Sequence, residues 1–371
     1  MDEELKALRA RIDGIDDAIL HLLSERAGIA QQVGRAKKGE KIYRPEREAQ
    51  IVRRLRENNP GPLSGDTIER LIREIMSACR AVEELTRVAY LGPVGTFTQQ
   101  AVHKHFGHEV EALAEADIDA CFHAVETGRA DFAVVPVENS TEGAIGRTLD
   151  LIVPSPLKIC GEVMLPIHQT LMRKASSPQP SPLNGEGANV MPNPINGIQR
   201  VFGHAQSLAQ CQHWLSRHLP DAERVSVVSN SEGARRAAAE PDAATLGSEA
   251  AAELYGLAVV AGRIEDEASN TTRFLVLGKT DAAPSGRDKT SLVMGAKNQP
   301  GAVVKLLQPL ADAGISMSKL ESRPARSSNW EYLFFVVCEG HRQDPKLAAA
   351  LAEIESRAAF LKILGSYPAA S

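Results

Sequence analysis

The sequence predicts a multidomain protein in three parts: an all-helical N-terminal unit, a two-lobed α/β unit and a small ferredoxin-like α+β unit. Three observations carry this. Residues 1–87 place apolar side chains at alternating three- and four-residue spacing, as in helices packed on helices. Residues 88–278 alternate short β-branched runs with Ala-rich helical stretches, the texture of a sheet covered by helices. Residues 290–367 read strand, helix, two strands, helix, strand, the βαββαβ order of a ferredoxin-like fold.

Composition bounds the function. A chain of 371 residues is long enough for two or three cores. A hydrophobic fraction of 43%, a charged fraction of 24% and a net charge of −5 suit a globular protein without a basic field for nucleic acid. Cys79, Cys121, Cys160, Cys211 and Cys338 lack metal-ligand spacing, which points to reduced thiols and a cytoplasmic setting. The chain starts Met-Asp-Glu-Glu and enters an amphipathic pattern with no signal core, and no apolar run approaches the length of a bilayer. A soluble protein is expected, with no membrane or nucleic-acid partner, cofactor or metal.

In the helical unit the first stripe runs Leu5, Leu8, Ile12, Ile15, Ile19, Leu22, Ile29 and Val33. Its helix, from about residue 3 to 38, spans roughly 50 Å at 1.5 Å per residue. A lone small domain cannot cover that length, so a partner helix from a second chain is expected. Yet Arg26 and Lys37, about three turns apart, lie on the same face. A second helix begins near Pro45, a good first-turn residue, and "NNPGPLSGD" is a turn before a third. Glu48 sits on the apolar side of the second helix with Arg47 beside it. Glu83 continues the stripe of the third, and Arg9 flanks the first. Each charge alone reads as a snorkelling head or a salt bridge; as a set, several cations with few acids suit a bound dicarboxylate.

The segments "ALRARIDGIDDAILHLLSERAGIAQQVGRAK" and "YRPERE" resemble the all-helical chorismate mutases. The resemblance implies two intertwined helical chains, a homodimer or higher homo-oligomer, with one arginine of each site supplied by the partner. The matching positions are Arg9 as the partner-chain arginine, Arg26, Lys37, Arg47 and Glu48. A family position that is usually glutamine falls on Glu83, and Cys79 stands where some relatives have serine. Rearrangement of chorismate to prephenate is pericyclic, so a protein can only hold the reactive conformer and stabilise developing charge. Cations would clamp the two carboxylates, Glu48 would bind the ring hydroxyl, and Lys37 would donate to the ether oxygen. A carboxylate at Glu83 helps only when protonated, and burial on the apolar stripe would favour that form. Mutase activity is therefore expected to fall as pH rises, and Glu83→Gln to flatten the profile.

From residue 88, "VAYLGPVGTFTQQAV" reads as strand, glycine loop and helix start, with Thr96 where exposed amides favour an anion. "VVPVENSTEGAIG" ends a buried strand on Asn139, Ser140 and Thr141; "FGHAQSLAQC" places His204 and Gln206 similarly; "ASNTTRFLVLG" sets Asn270, Thr271, Thr272 and Arg273 at a strand mouth. Each also reads as an ordinary cap or turn, and His204 as a structural hydrogen-bond partner. Together these motifs resemble prephenate dehydratase over residues 88–278. That places Thr272 at the catalytic centre, with Thr96, Asn139, Ser140, Thr141 and Asn270 binding substrate. Prephenate loses CO2 and its ring hydroxyl together, so carboxylate anchors and a donor to the leaving hydroxyl are needed. Arg273 either anchors a carboxylate or holds the lobes together. Residues 175–199, rich in Pro, Ser, Asn and Gly, depart from the family pattern and read as a flexible surface insertion.

"KTDAAPSGRDK", residues 279–289, reads as a linker. Beyond it, "QPGAVVKLLQPL" and "LESRP" resemble the ligand motifs of an ACT domain, an amino-acid sensor. By resemblance L-phenylalanine binds at Gly301, Ala302, Val303, Glu321, Ser322, Arg323 and Pro324 and inhibits at a distance. The family often has Leu at the position of Val303, and without the resemblance Glu321 and Arg323 read as a surface ion pair. The leading reading is a bifunctional chorismate mutase and prephenate dehydratase of phenylalanine biosynthesis. The alternatives are a dehydratase that prefers arogenate, and a mutase fused to a ligand sensor without chemistry.

Overall fold

Prolines in first turns, serine and threonine caps and left-handed glycines set where many elements begin and end. The fold is that of a computed structural model describing residues 2–36, 43–175, 195–296, 299–324 and 332–370. Lys37 and residues 176–194 of the insertion lie outside the described residues.

The helical unit has α1 (Asp2–Ala36), α2 (Pro45–Glu57) and α3 (Gly65–Ala81). Pro45 starts α2 in its first turn, and the Ser64 hydroxyl accepts the Thr67 amide at 3.2 Å to cap α3. Not one residue of α1 is buried, and Leu5, Leu8, Ile12, Ile15, Ile19, Leu22, Ile29 and Val33 all stand exposed along it.

The middle unit divides into two lobes. Lobe one contains β1 (Arg87–Leu91), α4 (Phe97–Phe106), β2 (Glu111–Glu115), α5 (Ile118–Glu126), β3 (Phe132–Asn139), β4 (Gly143–Ala144), α6 (Gly146–Ile152) and β5 (Lys158–Pro166). The chain then crosses into lobe two: β6 (Thr170–Lys174), β7 (Arg200–His204), α7 (Ala205–Gln210), α8 (Gln212–His218), β8 (Glu223–Val227), α9 (Asn230–Ala239), β9 (Ala243–Gly247), α10 (Glu249–Tyr255) and β10 (Leu257–Ala261). It returns as β11 (Thr271–Gly278), which inserts antiparallel between β3 and β5 in a sheet ordered β2-β1-β3-β11-β5. The lobe-two sheet is ordered β10-β6-β9-β7-β8. The two crossovers bond to each other through Ile167 N to Asn270 O at 2.8 Å and Ile264 N to Gln169 O at 3.0 Å. The expected surface insertion is shorter than residues 175–199: Ile198 is buried in the lobe-two core, so residues 195–199 belong to the fold.

The C-terminal unit is β12 (Asp288–Gly295), α11 (Ala302–Asp312), β13 (Met317–Pro324), β14 (Tyr332–Glu339), α12 (Pro345–Arg357) and β15 (Phe360–Pro368), with sheet order β13-β14-β12-β15. One sheet face carries both helices on Leu292, Met294 and Val336. The other, through Val293, Phe335, Leu364 and Tyr367, merges with the core of lobe one. β15 passes so close to β5 that a Cβ on Gly365 would lie 2.1 Å from the Ile159 carbonyl oxygen. Residues 279–289 are not a loose linker. Ala282 and Ser285 are buried, Arg53 of α2 donates to Ser285 O at 2.5 Å, and Arg342 pairs with Asp281 at 2.7 Å. The helical and C-terminal units therefore meet along this segment.

Candidate active sites

Helices α1, α2 and α3 enclose a pocket of about 160 Å³ lined by Arg26, Val33, Arg44, Arg47, Glu48, Met76, Cys79, Arg80 and Glu83. The cations and acids singled out in sequence, Arg26, Arg47, Glu48 and Glu83, thus meet in one place. Glu48 is buried, which raises its carboxyl pKa, and the guanidinium of Arg80 pulls the other way. Glu83 reaches across to α1, where a Cβ on Gly34 would fall 2.3 Å from its Oε2. Arg9 is exposed and lies about 25 Å from Arg26 along the helix axis, so it does not join the pocket of its own chain. Arg44 and Arg80 are pocket residues outside the set read from sequence. Arg80 follows Met76 by four residues on the buried stripe, which is a legible signal.

The second site is the cleft between the lobes, a cavity of about 360 Å³. Thr272 of β11 lies directly opposite Asn139 of β3, both buried. Asn139 Nδ2 donates to Thr272 Oγ1 at 2.8 Å and to Asn270 Oδ1 at 2.9 Å. Its Oδ1 accepts the Thr141 amide at 3.0 Å and the Thr141 hydroxyl at 2.6 Å, which fixes the amide with Nδ2 towards Thr272. Because Thr272 Oγ1 accepts from Asn139, its own O–H remains to donate into the cleft.

Thr96 lines the cleft and caps α4 by accepting the Gln99 amide at 3.4 Å. From lobe two come His204, Gln206, Ser207, Ser229, Asn230 and Ser248. The ten-residue helices α4 and α9 both begin at this cleft, as do the shorter α7 and α10. Helix N-termini carry free amides and positive partial charge, so the cleft suits carboxylates with few cations. Two bonds draw the lobes together over it: Ser231 Oγ to Val94 O and Ser248 Oγ to Gly95 O, each 2.9 Å. Gly95 has φ +85°, a backbone position that favours glycine in this tight loop. Gln169 is a cleft residue that the sequence reading missed. It is buried on the crossover, donates to Ser207 Oγ at 3.2 Å, and leaves its Oε1 without a partner among the described residues.

Four expected substrate ligands sit elsewhere; Asn270 is buried outside the cleft lining, where its Oδ1 accepts from Asn139. Ser140 and Thr141 do not line the cleft; Ser140 Oγ accepts the Thr271 amide at 2.9 Å and the two residues brace the turn after β3. Arg273 alternates with Thr272 and Phe274 along β11 and points to the opposite face of the sheet. There Arg273 Nε donates to Glu162 at 2.9 Å, and Nη2 to the Tyr367 hydroxyl of β15 at 3.0 Å. Lys289 of β12 also holds Glu162, at 2.6 Å. Burial alone would raise the Glu162 carboxyl, but Arg273 and Lys289 outweigh it and keep it below the usual range. Arg273 thus neither anchors a carboxylate in the cleft nor ties the lobes; it fastens lobe one to the C-terminal unit.

In the C-terminal unit Gly301, with φ +74°, starts α11, and Ala302 and Val303 form its first turn. Along β13, Glu321 and Arg323 face lobe one. Lys319 bridges Glu321 at 3.1 Å and Glu138 of β3 at 3.0 Å, and Arg323 pairs with Asp150 of α6 at 3.3 Å. Ser322 pairs with Phe334 on the helix-bearing face, with Pro324 at the strand end. The expected ligand residues are therefore divided between the two sheet faces.

The comparisons with known proteins fit this geometry. The prephenate dehydratase family matches residues 88–282, chorismate mutase type II residues 8–84, and the ACT domain residues 290–356. A bifunctional chorismate mutase/prephenate dehydratase of Neisseria gonorrhoeae is 52% identical over 372 residues, covering 100% of this chain and 98% of its own. The chain belongs to the bifunctional chorismate mutase/prephenate dehydratase family. A second bifunctional relative, from Stutzerimonas stutzeri, is 47% identical and covers 99% of this chain and 98% of its own. Among solved structures, a prephenate dehydratase from Arthrobacter aurescens in complex with L-Phe is similar with a TM-score of 0.66 at 30% identity, covering 76% of this chain and 89% of that one. Among the described residues no helix is long and apolar enough to cross a membrane.

Proposed function

We propose that the two family activities are divided by unit, with residues 1–87 rearranging chorismate, 88–278 converting prephenate to phenylpyruvate, and 290–367 sensing L-phenylalanine. The observation that carries this most is the Asn139–Thr272 bond in a cleft ringed by helix N-termini. Asn139 polarises the Thr272 hydroxyl, whose O–H donates to the departing ring hydroxyl. As the ring carboxylate leaves as CO2, its C–C electron pair enters the ring, the C–O bond breaks, and hydroxide departs as water with a proton relayed through Thr272. The amides opening α4 and α9 hold the two carboxylates, one of the two roles that the sequence left open for Arg273.

The cleft lining contains no Asp or Glu among the described residues. An ammonium such as that of arogenate would meet no counter-charge there, which favours the keto acid prephenate. In the mutase pocket Arg26 and Arg47 clamp chorismate's carboxylates, with Glu48 at the ring hydroxyl and Glu83 across the site; Lys37 serves the ether oxygen. The uncovered stripe of α1 packs on the same stripe of a second copy, which brings the partner's Arg9 within reach and makes the enzyme a homodimer. L-Phenylalanine, which the similar Arthrobacter protein binds, acts in this cytoplasmic enzyme at Gly301–Val303 and the Glu321–Pro324 segment, the positions of the ACT ligand motifs. Competition between prephenate and arogenate for the purified chain tests the assignment: prephenate should turn over with much the higher kcat/KM. Preference for arogenate would overturn it.

A further inference from the structure

Arg80 is buried on α3 between two units that perform different chemistry. Its Nη1 donates to Glu48 Oε1 in the mutase pocket. Its Nη2 donates at 2.5 Å to the carbonyl oxygen of Phe106, the last residue of dehydratase helix α4. That carbonyl lies at a helix C-terminus, where oxygens have no partner within the helix and carry negative partial charge. The guanidinium also lies 5.2 Å from the ring centroid of Tyr43, whose hydroxyl bonds His105 Nε2 of α4 at 2.7 Å. Tyr43 itself is packed among Phe106 and Phe132 in the dehydratase core. The remaining donor, Arg80 Nε, is buried without a hydrogen-bond partner among the described residues.

We propose that Arg80 is a positioning residue of the mutase: it orients the Glu48 carboxylate for the substrate hydroxyl and takes its own anchor from the dehydratase unit. The inference rests on the mutase reading of the α1–α3 pocket. A carboxylate has two oxygens and several hydrogen-bonding directions. One charge-assisted bond to an arginine that is clamped at its far end leaves the other oxygen in a set place. A lysine could supply the charge but not both bonds in that fixed fork. The dehydratase unit thereby completes the outer layer of the mutase site, and the two activities are structurally linked without sharing a substrate pocket.

The test uses the full-length chain as wild type, Arg80→Gln and Arg80→Lys, with chorismate consumption and prephenate turnover measured separately across pH. The charged and titratable groups around Glu48 are Glu69, Arg73, Cys79 and Arg80 of α3, Glu83 just beyond it, Arg26 of α1, Arg44 and Arg47 at the start of α2, Tyr43, Lys104 and His105 of α4, and Cys160 and Glu162 of β5. Removing Arg80 leaves burial less opposed, so the acid limb of mutase kcat/KM should move to higher pH. Arg80→Gln should lower mutase kcat/KM about 10- to 100-fold, and Arg80→Lys should recover part of it. Prephenate turnover should change much less, which certifies that the variants fold. In a Glu48→Gln background, Arg80→Gln should cost little more. An unmoved acid limb with wild-type mutase activity overturns the proposal, as does full additivity with Glu48→Gln. Wild-type protein that ignores chorismate would overturn the mutase reading itself.

Discussion

Thr272 and Arg273 are neighbours in sequence and face opposite sides of one sheet. Thr272 accepts from Asn139 in the cleft between the lobes, while Arg273 bonds Glu162 and the Tyr367 hydroxyl beneath the C-terminal unit. The strand that presents the hydroxyl proposed to react is therefore the strand to which the C-terminal ACT unit is fastened.

The hydroxyl itself is the first point of test. Thr272→Val keeps the shape and removes the donor, and should lower dehydratase kcat about 10²–10³-fold while chorismate consumption continues. Thr272→Ser should retain much of the rate. Comparable activity in the valine variant would remove Thr272 from the mechanism.

The exposed stripe of α1 predicts dimer loss when it is charged. Ile12→Glu, at a position 56% exposed in the single chain, should shift sedimentation towards monomer and diminish mutase activity. A monodisperse dimer with normal activity would place the subunit contact elsewhere.

Gly34 tests the placement of Glu83. Alanine normally stabilises a helix over glycine by about 0.5–1 kcal/mol, but here its methyl would strike the Glu83 carboxylate. Gly34→Ala should therefore impair the mutase and leave prephenate turnover intact; an unimpaired mutase would mean that Glu83 does not need this position.

Gly365 tests the docking of the sensor. Its alanine variant would bring a methyl against the Ile159 backbone, an overpacking that costs about 1–3 kcal/mol. The expected result is a lower Tm and weakened response of the dehydratase to L-phenylalanine, read from inhibition curves.

Acid should loosen the joint between mutase and dehydratase. Burial, helped by Arg73 and Arg80, lowers the His105 pKa to about 3, so it stays neutral in the fold. Unfolded, it binds a proton near its ordinary value of about 6.5. Its contribution is therefore complete above about pH 6.5 and is lost as pH falls towards 3, by at most about 1.4 kcal/mol per pH unit. His105→Gln should make Tm less pH-dependent over that range, measured by calorimetry.

Much of the fold was legible because it is periodic. The α1 stripe, the βαββαβ order and the strand-end motifs are local patterns that the chain cannot disguise. Arg273 was legible too, since strand alternation puts it opposite Thr272. The family motif left it either to anchor a carboxylate in the cleft or to hold the lobes together, and its bonds to Glu162 and Tyr367 do neither. Arg80 showed as a cation on a buried stripe, but nothing local tells that its partner would be a carbonyl of the next domain. Gln169 and the packed segment 279–289 depend on contacts distant in sequence, and their composition alone reads as loop. Glu321 and Arg323 matched a ligand motif, whereas the Arg323–Asp150 pair and the Lys319 ammonium that links Glu321 to Glu138 of lobe one arise only from how two sheets meet.

The most direct measurement supplies the purified chain with chorismate alone and tracks prephenate and phenylpyruvate with time. The predicted course is transient prephenate, then phenylpyruvate whose formation declines when L-phenylalanine is added, with prephenate accumulating in Thr272→Val. Wild-type protein that stops at prephenate would contradict it, leaving a mutase joined to a cleft without chemistry.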